Sequence, residues 1–200
     1  VCSSDLSAAF VGMGMAQELQ QPVGIVCTSG SAMLNYYPAV AEAYYQCIPL
    51  VVISADRPEK WINQGDGQTI VQRGVYTNHI EAEVQLDEQM EADEVRSLTI
   101  EAFSKIAFQS KGPIHFNIAL EEPLYQTTEI SDELPQLIKW DSPQDQLTTE
   151  QLSVIKEGLK LDKKLILIGQ MVKKPYLEEL LKNLADDPSI AILVENSSNL

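Results

Sequence analysis

Two uninterrupted apolar runs, residues 23–28 and 49–55, each break into a short polar tip, and residues 31–47 between them are apolar with helical spacing. Runs of that length fit strands buried on both faces, the condition of a parallel sheet covered by helices on either side. An α/β architecture follows, and such folds bind their ligands at the carboxyl ends of the strands. The first tip is Thr28-Ser29-Gly30; the second is Asp56-Arg57-Pro58, followed by a polar loop that ends at Gly67-Gln68.

The rest of the chain extends this alternation. Residues 7–19 are apolar at helical spacing, with Gly12 and Gly14 permitting close packing and Pro22 beyond the end. Residues 69–76 read as a short helical piece, 80–85 as a strand, 90–109 as an amphipathic helix and 113–119 as another strand. Pro38 falls inside the helix predicted over 31–47, where it removes a backbone donor and distorts the helix. From 121 to 146 the pattern fades into Pro, Thr, Ser, Asp and Glu, the composition of an exposed connection. Alternation then resumes: a helix opening at Thr148-Thr149-x-Gln151 with the look of a capping box, a strand over 164–169, a helix over 175–185 and a strand over 190–194. The predicted organisation is a first domain over 1–122, a linker over 123–147 and a second domain starting at 148. Two strands and two helices leave a sheet edge uncovered, so the second domain is expected to be truncated.

Composition narrows the function. At 200 residues and 44% hydrophobic content the chain has ample core. A formal charge of -15 argues against a nucleic-acid surface, which needs clustered cations. An anionic ligand would need a local positive field, and Arg57 is better placed to supply it than Arg73 or Arg96. No apolar run of about 18 residues is present for a membrane span, and no signal-peptide pattern opens the chain, so the expected location is cytoplasmic. Cys2, Cys27 and Cys47 share no metal-ligand spacing and are expected as small core residues in a reducing compartment. With His79 and His115 the only histidines, no zinc site is expected.

Four local motifs carry competing readings. Gly12-Met-Gly14 lies in a helical pattern and reads as a helix crossing, not a dinucleotide fingerprint. Gly65-Asp66-Gly67 lacks a preceding buried strand and a downstream asparagine pair, so it is not read as a metal–diphosphate motif, and no metal ligand is assigned in this chain. Thr28-Ser29-Gly30, where a strand turns into a helix, offers free N–H groups; it reads as a ligand-cradling turn, since a nucleophilic serine would need a base and no Ser–His pair is visible there. Arg57 emerges at the sheet's carboxyl edge, where its planar fork can grip a carboxylate, or else pairs with Asp56 or Glu59 at the surface.

Taken together, Ser7-Ala-Ala-Phe10, Val26-Cys-Thr-Ser-Gly30, Tyr37-Pro-Ala-Val40, Ala55-Asp-Arg-Pro58, Gly67-Gln68, Gln72 and Gly112-Pro-Ile-His-Phe-Asn117 resemble the amino-terminal half of the SEPHCHC (2-succinyl-5-enolpyruvyl-6-hydroxy-3-cyclohexene-1-carboxylate) synthase family, thiamine-diphosphate enzymes of menaquinone biosynthesis. Acetolactate synthases share the Thr-Ser-Gly turn and the Asp-Arg-Pro theme; Ala-Asp-Arg-Pro with the later Gly67-Gln68 favours the former. The resemblance implies a pyrimidine-binding domain followed by the start of a Rossmann-like central domain, with the diphosphate and Mg2+ site in a third domain. It implies decarboxylation of 2-oxoglutarate and addition of the product to isochorismate. Arg57 and Gln68 then contact substrate, and Thr28, Ser29, Gly30 and Pro38 lie near the aminopyrimidine across the interface of a homodimer or homotetramer. The family places a glutamate, which protonates the cofactor pyrimidine, where this chain has Asp5, with Leu6 after it in place of an arginine. Residues 2–6 also match an in-frame translation of a common sequencing-library adapter, so they are expected to be foreign to the gene. The chain alone is expected to be inactive. The other readings are an acetolactate-synthase-like enzyme and a non-catalytic regulatory module with the same fold.

Overall fold

The run 49–55 becomes β2 (Leu50–Asp56), one of two inner strands of a four-stranded parallel sheet. β1 (Val23–Cys27) lies on one side of it and β4 (Ile114–Ala119) on the other, with β3 (Ala82–Asp87) beyond β4. The register aligns the strand ends, pairing Cys27 with Ser54 and Asp56 with Ala119. In this computed structural model, residues 4–108, 112–121, 147–171 and 174–199 are described. The chain divides into two compact units, residues 1–143 and 144–200.

β2 explains why the apolar runs show no alternation. Leu50 and Val52 enter a core formed with Ala9 and Ala16 of α1 (Asp5–Leu19), and with Ala39, Val40 and Ala43 of α3 (Tyr37–Tyr45). Val51, between them, enters a second core with Ala102 and Ile106 of α4 (Ala92–Phe108). Both faces are covered, so Leu50 to Ile53 form an unbroken apolar run. The two-sided parallel sheet inferred from sequence is the fold of this unit.

α1 is apolar all round. It buries Ala9, Gly12 and Ala16, while Phe10, Val11, Met15 and Leu19 stay exposed. A Cβ on Gly12 would run into Ile25 Cγ2 of β1, so the crossing read from sequence is real at Gly12. Gly14 has open space around it and plays no such part.

Three expectations are corrected. The helix predicted over 31–47 is two helices, α2 (Ser31–Leu34) and α3, and Pro38 stands in the first turn of α3. Proline has no N–H to give and its preset φ suits a first turn, so the helix restarts around it instead of bending. The helical piece predicted over 69–76 is displaced to a 3-10 turn at Thr77–His79. Tyr37, Tyr44 and Tyr45 pack edge-on to His79 there, and Tyr37 Oη lies 3.0 Å from His79 Nδ1. Cys27 is buried as expected, but Cys47 is exposed: the helix has ended at Tyr45 and Cys47 takes a left-handed φ of 54°.

In the second unit, β5 (Lys164–Ile168) pairs in parallel with β6 (Ile190–Val194). α5 (Thr149–Gly158) opens with the capping box foreseen: Thr148 Oγ1 accepts from Gln151 N at 3.2 Å, and the Gln151 side chain accepts from Thr148 N at 2.9 Å. α6 (Pro175–Ala185) connects the strands. The linker predicted over 123–147 falls almost wholly on residues 122–146, outside the described ones. Among the described residues no helix is long and apolar enough to cross a membrane.

Candidate functional site

The first tip is held from behind. Gly30 takes φ +78° and ψ -140°, a conformation open essentially to glycine alone. A Cβ there would lie 2.8 Å from the backbone carbonyl carbon and oxygen of Gln68. Gln68 itself adopts a left-handed φ of 55°. The turn and the end of the polar loop are therefore packed backbone to backbone. The Gly30 N–H, expected to be free, donates to Gln72 Oε1 at 2.6 Å. Thr28 is exposed, Ser29 is buried, and Pro38 is exposed. Asp5 is half-buried at the start of α1. Burial, and then the charge of Asp5, push the Cys27 thiol up to about 12, which puts Asp5 within electrostatic reach of the strand end that leads into Thr28.

The second tip turns its two charges in opposite directions. Asp56 points inward, where Oδ1 accepts from Arg57 N at 2.8 Å and Oδ2 accepts from Asn117 Nδ2 at 2.7 Å. Burial pushes the Asp56 carboxyl up, and those two donors offset only part of the rise. The Arg57 guanidinium reaches Asp66, with Nε 3.9 Å from Oδ2 and its side chain 16% exposed. It lines a cleft of about 680 Å³ together with Arg73, Gln85, Asp87 and Glu88. Gln68 does not line that cleft; its backbone lies against Gly30.

Between the tips runs a buried polar network with no counterpart in the sequence reading. Gln72 Nε2 donates to Ala55 O at 2.9 Å and to Asn117 Oδ1 at 2.8 Å. Ser54 Oγ lies 2.7 Å from His115 Nε2 and 2.8 Å from Asn117 Oδ1, and its one proton serves one of the two. His115 Nδ1 is 3.2 Å from Glu83 Oε1. Burial would raise the Glu83 carboxyl, but hydrogen bonds from His115 and the Gly74 N–H more than offset it and hold the group below its usual range. Ser54, His115 and Glu83 thus stand in the order of a hydrolytic triad. Ser54 and His115 are both fully buried, so the serine cannot meet a substrate and the series is structural. One sequence signal could have exposed the network. In Ile-His-Phe-Asn the polar residues alternate inside a strand that must be buried on both sides, so each needs a buried partner.

Among the described residues no group of three His, Cys, Asp or Glu side chains is placed to hold a metal ion. Thr28 offers a hydroxyl at the first tip and Asp5 an acid at the start of α1, groups that can hydrogen-bond a nitrogen heterocycle.

Residues 1–83 match the family model described as "Thiamine pyrophosphate enzyme, N-terminal TPP binding domain". A 2-succinyl-5-enolpyruvyl-6-hydroxy-3-cyclohexene-1-carboxylate synthase of Christiangramia forsetii is 40% identical, over 96% of this chain and 36% of its own length. Enzymes of the same name from Flavobacterium johnsoniae and Desulfotalea psychrophila are 44% and 38% identical, over 96% and 97% of this chain and 35% and 37% of their own lengths. The chain spans about a third of the length of the curated relatives it matches.

Proposed function

We propose that this chain, which is similar along 96% of its length to SEPHCHC synthases and whose residues 1–83 match a thiamine-pyrophosphate-enzyme domain, is the pyrimidine-side part of such a synthase. The whole protein would decarboxylate 2-oxoglutarate and add the remaining four-carbon unit to isochorismate, in the cytoplasm and as a homodimer or larger homo-oligomer. The observation that carries the reading is the similarity along 96% of the chain, with Arg57 standing at the sheet's carboxyl edge on the side of an open cleft.

Thiamine diphosphate, when bound, supplies an electron sink for the decarboxylation. The residues of this chain bind and orient. Thr28, Ser29 and Gly30, with Pro38 nearby in sequence, form the wall for the aminopyrimidine. Asp5 would hold the proton exchanged with the pyrimidine. Arg57 pairs with a substrate carboxylate, which both 2-oxoglutarate and isochorismate carry. Gln68 offers an amide donor and acceptor to polar substrate groups. Mg2+ and the diphosphate would be held by residues outside this chain. On this reading residues 1–122 form the pyrimidine domain, 123–147 a linker and 148–200 the opening of a Rossmann-like central domain.

The test is an assay of the complete gene product that carries this sequence, with thiamine diphosphate, Mg2+, 2-oxoglutarate and isochorismate. Formation of the adduct, with one CO2 per turnover, is the expected result. CO2 release from pyruvate with no use of 2-oxoglutarate would transfer the assignment to an acetolactate-synthase-like enzyme.

A further inference from the structure

We propose that Gln72 and Asn117 are positioning residues that lock the Thr28-Ser29-Gly30 turn and the Asp56-Arg57 tip into one register, so that cofactor side and substrate side are set as a unit. The part that concerns binding rests on the function proposed above. The geometry is directional. Gly30 N–H can only donate and Ala55 O can only accept, and Gln72 meets both, at 2.6 and 2.9 Å. Its amide is therefore fixed in one orientation, with the second Nε2 hydrogen aimed at Asn117 Oδ1, 2.8 Å away. That fixes Asn117 in turn. Its Nδ2 faces Asp56 Oδ2 at 2.7 Å and Gln85 Oε1 at 2.8 Å, and the other Asp56 oxygen receives the Arg57 N–H at 2.8 Å.

The chain of bonds thus begins on the backbone of one tip and ends on the backbone of the other. Gln72 and Asn117 are 0% and 2% exposed, positions where burial alone would favour apolar side chains. A buried amide contributes little net stability per bond, whereas it fixes direction strongly. Gln72 belongs to a loop and Asn117 to β4, 45 residues apart, so no local element holds them together.

The test uses the complete gene product. Asn117→Leu cuts the series without touching Gly30 or Arg57. Amide hydrogen exchange is expected to quicken about tenfold in peptides covering 28–31 and 56–58, with α3 unchanged as the internal control. The Kd for thiamine diphosphate and the KM for 2-oxoglutarate are expected to rise together, each about tenfold. Gln72→Met should do the same, and it decides the matter if Asn117→Leu does not fold. Asn117→Asp sets a carboxylate against Asp56; adding Asp56→Asn restores a donor facing an acceptor, and Kd and KM should return to within about threefold of the parent. The proposal is overturned if the variants lose thermal stability while Kd, KM and exchange at the two tips stay as in the parent, or if only one tip responds. A parent protein that makes no adduct from 2-oxoglutarate and isochorismate refutes the proposed function alone, and the exchange experiment still decides this inference.

Discussion

The two strand tips that make up the candidate site are built from different materials. The tip after β1 is made of backbone shape: a glycine at φ +78° seated on the carbonyl of Gln68, with its N–H held by a buried amide. The tip after β2 is made of charge: Asp56 turned inward onto Asn117 and Arg57 turned outward to Asp66 and the cleft. A site made of shape fails by steric exclusion, and the failure is seen in folding. A site made of charge fails by lost affinity, and the fold survives. The two differ in kind although they lie on adjacent strands.

Gly30→Ala should break the comparison most severely. The added Cβ meets backbone at 2.8 Å, and backbone cannot swing aside as a side chain can. Adding about 1–3 kcal/mol for the disfavoured dihedrals, the variant should unfold at markedly lower denaturant, measurable by urea titration. Next in size is Asp5→Glu in a complete gene product that carries Asp5; a parent gene with glutamate already at this position would instead bear out the foreign origin of residues 2–6. If the extra methylene closes an offset of about 1 Å, kcat should rise by up to ~100-fold with no change in KM for 2-oxoglutarate; an unchanged kcat would detach Asp5 from the first tip. Arg57→Lys keeps the charge and loses the planar fork, so KM for 2-oxoglutarate should rise about tenfold while the thermal midpoint stays within a degree or two. A large loss of stability instead would show that the second tip, too, is shape.

The smallest effect concerns the buried support that both tips share. Glu83 is held below its usual range, so it contributes stability above pH 4.5, its ordinary value, and that contribution is lost as pH falls through the lowered one. Glu83→Gln should cost about 1 kcal/mol at pH 7. It should also flatten the acid limb of the stability curve below pH 4.5, followed by urea unfolding at several pH values.

How much of this could be read from residues alone depends on whether the signal is local. The parallel sheet was legible because Leu50, Val51 and Val52 form an unbroken apolar run, and Arg57 was legible as an edge residue because it directly follows that run. The break at Pro38 was legible as a disturbance but not as a restart, since a proline looks the same in mid-helix and in a first turn until the preceding residues are placed. The cleft and the Gln72–Asn117 bond were not legible. Their members lie tens of residues apart, and a single glutamine in a polar loop carries no sign that its amide will be fully buried. Gln68 was singled out only through the family resemblance, and its backbone makes the contact with Gly30 that the structure adds.

Gly12 has a role that reaches beyond its own crossing. Because α1 meets β1 there with no Cβ between them, the glycine works as a spacer of zero thickness and sets how far the helix axis stands from the sheet. Asp5 lies about two turns, or ~10 Å, up the same rigid rod. The height of Asp5 above the sheet is therefore gauged at a residue that never touches it, as the fulcrum of a lever fixes the travel of its far end.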